Sequence, residues 1–135
     1  MPNWCFNTLK IKGEPKEIEE FLEKAKGEQK ISLEKLVPIP PEQAEDWYKW
    51  NLANWGTKWD LCEVSLMTNE IKNGKIEAMF DTAWGPPIQA FQTIAEKYPE
   101  LEFHMNYSEP GMGFRGAMKW KNGEEFLNNH FDDHA

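Results

Sequence analysis

Residues 4 to 12, from Trp4 to Lys12, alternate apolar and polar positions and are rich in strand formers, and Gly13-Glu14-Pro15 then breaks the run and opens a helix. Ile18, Phe21, Leu22 and Ala25 fall at i, i+3, i+4 and i+7, one apolar stripe, with Glu20 and Lys24 paired on the outer face and Gly27 as the stop. A second strand is predicted over 61–69, with Cys62, Val64 and Leu66 on one side. Asn73-Gly74, a strong hairpin signal, then returns the chain along Ile76, Ala78 and Phe80. Pro86-Pro87 opens a second helix carrying Ile88, Phe91, Ile94, Ala95 and Tyr98, which Pro99 ends. Leu101, Phe103, Met105 and Tyr107 form a strand by strict alternation. Glu109-Pro110-Gly111 has the residues of a type II turn, so Phe114 to Lys121 is expected to return as a further strand. Asn122-Gly123 turns the chain into a short strand or helix within a polar tail, residues 124–135.

The order β-α-β-β-α-β plus an extra strand predicts an α+β fold: a ferredoxin-like split βαβ sandwich, one antiparallel sheet with two helices on one face. The 135 residues fit a single domain, 1–135, and no repeat or low-complexity tract is visible. A stretch of about thirty residues, 28–60, separates the first helix from the second strand and is long for a connection in a compact domain. In the predicted topology one end of the sheet collects the start of the first strand, this insert, Asp81 to Pro87, and the turn from Tyr107 to Arg115. Six of the seven Trp gather there: Trp4, Trp47, Trp50, Trp55, Trp59 and Trp84. Interleaved polar groups and Gly111-Met112-Gly113 complete an aromatic hollow of the kind that takes small polar ligands. The candidate ligand-binding residues are Asn3, Trp4, Asn54, Trp55, Lys58, Trp59, Asp60, Asp81, Trp84, Glu109 and Arg115. The same indoles also serve as a minicore anchoring the insert over the end of the sandwich, and the two readings are compatible.

Charge narrows the partners. Fifteen basic against 23 acidic residues give −8, and Arg115 is the one Arg, so nucleic acid is disfavoured as a partner. No apolar run is long enough to span a membrane, and the start of the chain lacks a secretory signal, so a cytoplasmic location is expected. Cys5 and Cys62 are expected reduced, because an intervening strand holds them farther apart than a disulfide allows. Cys5 has no neighbouring base and is not expected to act as a nucleophile. His130 and His134 share a helix-like spacing but lie in the tail without a helix signal, so no metal site and no cofactor are predicted.

Several runs together resemble the YubB-like family of ferredoxin-like domains found on phages and plasmids. They are Met1-Pro2-Asn3-Trp4-Cys5, Leu36-Val37-Pro38-Ile39-Pro40, Trp47-Tyr48 with Trp50, Asn54-Trp55-Gly56-Thr57-Lys58-Trp59-Asp60, Thr82-Ala83-Trp84-Gly85-Pro86-Pro87 and Glu109 to Gly116. The likeness covers the chain to about residue 123. It implies the ferredoxin-like fold and a mobile-element origin, and it brings no activity or catalytic residues with it.

The expected function is therefore a non-catalytic binding module, its cleft receiving a flat polar ligand or a host protein against Trp55, Trp59 or Trp84. Interference with a host system is the natural use in a phage or plasmid. The alternative is an enzyme with Asp60, Asp81 or Glu109 as acid and base and Lys58 or Arg115 stabilising negative charge. A third reading, an oligomerising protein, predicts a broad apolar patch on the open sheet face.

Overall fold

Two periodicities in one chain, 2.0 over the strands and 3.6 over the helices, produce a two-layer structure. The computed structural model describes residues 3–132, apart from the side chains of Thr68 and Asn69. In chain order it contains β1 (Trp4–Lys12), α1 (Pro15–Ala25), α2 (Leu33–Leu36), α3 (Trp47–Asn54), β2 (Cys62–Glu70), β3 (Lys75–Ala83), α4 (Ile88–Lys97), β4 (Glu102–Glu109), β5 (Phe114–Lys121) and β6 (Glu124–Asp132). The six strands form one antiparallel sheet in the order β2-β3-β1-β4-β5-β6. The fold is ferredoxin-like, with β5 and β6 added beyond β4.

Alternation decides the two faces of the sheet. Leu9, Ile11, Ile76, Ala78, Phe80, Phe103, Met105, Met118 and Trp120 point to one side and are buried there beneath α1 and α4. α1 contributes Ile18, Phe21 and Ala25, and the Phe21 ring meets Phe103 edge-on at 5.7 Å. α4 contributes Phe91, which stacks on Phe80 at 6.3 Å and also touches Phe103 and Trp120. The Trp120 indole N–H, otherwise orphaned in this core, donates to the Gln92 side chain at 3.0 Å. Among the described residues the other face carries no helix, and it exposes Phe6, Met79, Phe126 and Phe131.

Three expectations change. Residues 124–132, expected as a short strand or helix within a polar tail, form the nine-residue edge strand β6, paired with β5 except at Phe126, where the register shifts. The left-handed Asn122 (φ 56°) and Gly123 (φ 79°) make the tight turn between them. The strand is almost wholly exposed, so it needs no apolar alternation and gives no strand signal. Asn73-Gly74 does not close a two-residue hairpin. A 3-10 turn over Ile71–Asn73 comes first, and Gly74 (φ 74°) caps it, its N–H donating to Ile71 O at 2.9 Å. The second helix begins at Ile88 rather than at the prolines, and Pro87 holds the capping position. His134 lies outside the described residues. His130 itself stands on β6, its Nδ1 2.8 Å from the Tyr107 hydroxyl.

The insert has no strand of its own. It holds α2, a 3-10 turn over Pro41–Asp46, and α3, and it hangs on Trp55. That indole is 2 % exposed and donates its N–H to Val37 O at 2.8 Å. Among the described residues no helix is long and apolar enough to cross a membrane.

Candidate functional site

The strand directions bring the predicted segments to one rim. The Thr57 hydroxyl donates to Ala83 O at 2.8 Å, and the Ala90 N–H donates to Trp55 O at 3.3 Å, which ties the insert to the end of β3 and the start of α4. The Trp84 N–H donates to Asn3 O at 2.8 Å, bringing the chain start alongside. A methyl group on Gly111 would lie 2.9 Å from both the Asn3 side chain and Glu109 Oε1, so the β4-β5 turn closes against the same point. Trp84 sits in the left-handed region at φ 74°, an uncommon conformation for a non-glycine residue, and its side chain is left exposed.

Within this rim the predicted residues divide by role. Trp4 and Trp59 lie with ring centroids 6.1 Å apart, tilted by 53°. The Lys58 ammonium lies 5.0 Å from the Trp59 ring and 5.2 Å from the Tyr48 ring, so it bridges two aromatic faces. Trp4, Lys58 and Trp59 thus form one cluster of the predicted set, and Trp84 follows the end of β3 with its indole exposed. Asp81 lies beside them, between Cys62 of β2 and Phe6 of β1 in register. Burial, and then the Glu63 carboxylate, raise its pKa above the ordinary aspartate value.

Other candidates support the rim from behind. Asp60 accepts four hydrogen bonds, from the Ser32 hydroxyl at 2.8 Å and from the N–H groups of Leu33, Glu34 and Leu61 at 2.7, 3.0 and 2.7 Å. It caps α2 from across the chain, in place of the local cap that Ser32 does not supply. Glu109 is fully buried, and its two carboxylate oxygens accept the N–H groups of Gly111 and Met112 at 2.9 and 2.8 Å. Asn54 donates to Trp50 O at 3.0 Å within α3, and Trp55 belongs to the core. Arg115 stands apart: it is separated from Asp81 by Phe6 and Ser108 in one transverse row, and its guanidinium lies 5.8 Å from the Phe131 ring.

Beside Trp59 a cleft of about 580 Å³ runs between the loop after α1 and the edge of β2, with Gly27, Gln29, Ser32, Lys35, Cys62 and Glu63 among its walls. It lies on the β2 side of the rim, and Trp59 and Asp60 of the insert belong to its lining, whereas Trp84 and Glu109 do not. Sequence reasoning missed Tyr48 and Glu63. Tyr48 stood in the aromatic run Trp47-Tyr48-x-Trp50, a usable signal, whereas Glu63 is placed by a break in β2 register with φ 54° that nothing in the sequence announces.

Both cysteines are free thiols. Burial pushes Cys5 up to about 12 and also raises Cys62, so neither is an activated thiolate. Among the described residues no His, Cys, Asp and Glu side chains are grouped to hold a metal ion.

The family described as "Ferredoxin-like domain in Api92-like protein" matches residues 63–134. A crystal structure of the protein api92 from Yersinia pseudotuberculosis superimposes with a TM-score of 0.72 over 100% of this chain and 99% of that one, at 10% identity. No curated protein matches the chain in sequence. The match spans more than half of the sequence, and the chain belongs to the ferredoxin-like domain family of Api92-like proteins.

Proposed function

We propose that this member of the Api92-like family is a non-catalytic binding module, and that the rim formed by Trp4, Tyr48, Lys58, Trp59 and Trp84 receives a flat polar ligand or a protein side chain. The observation that carries this reading is the Lys58 ammonium held over both Tyr48 and Trp59, with Trp4 tilted across the same indole. Aromatic faces beside one cation suit a planar group bearing carbonyl or carboxylate oxygen: the ring stacks and the ammonium meets the oxygen. Asp81 at the margin supplies an acceptor for a donor on the same ligand. The catalytic alternative keeps Asp81 and Lys58 at the rim but not a second carboxylate, since Asp60 and Glu109 direct their oxygens to backbone N–H groups, and Arg115 lies elsewhere.

In this reading the chain is of phage or plasmid type, as its likeness to YubB-like proteins implies, and acts in the cytoplasm on a host component. Two free cysteines fit a reducing compartment. The test is tryptophan fluorescence under titration with nucleobases, sugars and short peptides. A saturable change that weakens at least about tenfold in Trp59→Ala and in Lys58→Ala is expected, with circular dichroism unchanged. No response to any of the three classes would sink the proposal.

A further inference from the structure

The two edges of the sheet differ. On the outer side of β2 the ladder is broken by register shifts between Cys62 and Ser65 and between Leu66 and Thr68, and Gln29 Oε1 accepts the Val64 N–H at 3.0 Å. That edge is blocked in the ways edge strands commonly are. At the other edge β6 has one register shift, at Phe126; from Leu127 to Asp132 it pairs regularly with β5 and, among the described residues, has no strand on its other side. Between Phe126 and Phe131 it has neither Pro nor Lys, and Phe131 is 54 % exposed.

We propose that two copies of this chain pair through β6, antiparallel about a twofold axis at Asn129, joining their sheets into one. A substituent on Gly116 would collide with the Asn129 carbonyl oxygen, so the peptide groups of Asn129 face β5. By alternation the N–H and C=O groups of Asn128 and His130 face outward. With Asn129 opposite Asn129 of the second copy, Asn128 and His130 exchange backbone hydrogen bonds on both sides of the axis. On the open face Leu127 then lies against Phe131 of the second copy, and the symmetry repeats this apolar pair. Glu124 and Glu125 fall outside the five-residue ladder. Moving the axis to Asn128 would instead set Leu127 against Asn129 and break the apolar pair. One available edge per molecule closes the assembly at two copies, where two would give a filament.

The experiment is sedimentation velocity on the full chain from about 5 µM to 0.5 mM, a range that resolves a small, weak interface. Concentration-dependent dimer is expected. Asn128→Pro removes an outward N–H and leaves the β5 ladder intact, and Leu127→Lys replaces the apolar pair with a cation. Each is expected to weaken self-association by about ten- to a hundredfold, with far-ultraviolet circular dichroism as the check on folding. Slowed hydrogen exchange at the His130 amide in the concentrated sample is the second readout, and it stays decisive if a variant fails to fold. A monomer throughout the range overturns the proposal. So does a dimer that survives Asn128→Pro but is lost in Phe6→Lys, which would put the contact on the open sheet face.

Discussion

At the scale of single residues the carboxylates separate by what their oxygens do. Asp60 fixes α2, a helix of four residues too short to persist by itself, and its four donors lose their acceptor together in Asp60→Ala. That substitution is expected to cost about 2–4 kcal/mol in urea unfolding, and Asp60→Asn roughly half as much. This role was not legible, because the cap joins residues 27 positions apart and local cap rules read only neighbours. Glu109 was closer to readable: the alternation Leu101, Phe103, Met105, Tyr107 continues inward to it, so its burial follows from extending the pattern one step. Asp81 behaves differently. Its folded pKa is raised, so the folded state binds its proton more tightly than the unfolded chain does. The stability this confers is present below the unfolded aspartate pKa and is lost as pH rises through the folded value. Asp81→Asn is therefore expected to be the more stable protein at neutral pH, by less than about 1 kcal/mol. The difference should shrink as the pH falls through the carboxylate range, and thermal melts of both proteins across that range check it.

Elements that bury one face were read correctly, and those that bury none were not. β1, β3 and β4 each carry alternating buried positions, and α1 and α4 each carry one apolar stripe, so their sequences record their surroundings. β6 is solvated on both faces and left no such record, and α3 buries only Asn51. The convergence of the insert, Asn3, Trp84 and the β4-β5 turn was legible from strand direction alone, while the cleft beside Trp59 depends on irregularities in β2 that direction does not encode. The insert itself depends on Trp55. Trp55→Ala empties a fully enclosed site and is expected to cost about 3–5 kcal/mol, whereas Trp55→Phe loses mainly the bond to Val37 and costs about 1–2 kcal/mol. Equilibrium unfolding measures both. Hydrogen exchange should show the loss concentrated in α3 if the insert loosens before the sheet does.

Across the whole molecule the acidic excess is unevenly placed. The open sheet face holds Lys10, Lys12, Lys75, Lys119, Lys121 and Arg115 against Glu70, Glu77, Asp81, Glu102 and Glu124, so the surplus of the −8 chain resides on the helical side and the loops. Glu14, Glu17, Glu19, Glu20 and Glu23 crowd α1 and its start with Lys16 and Lys24 among them. Screening relieves this repulsion, so raising NaCl from about 0.05 to 0.5 M is expected to lift the melting temperature by about 2–4 °C. A flat or falling response would mean that the carboxylates on α1 are already neutralised by their neighbours. The position of β1 carries a consequence for biosynthesis. It lies at the centre of the sheet, yet its register partners, Trp4 with Ala83 and Leu9 with Met105, emerge from the ribosome much later. β1 precedes both of its partners and must wait, exposed, for each flank, so the nascent polypeptide lacks the seam that organises the sheet until β4 has been made.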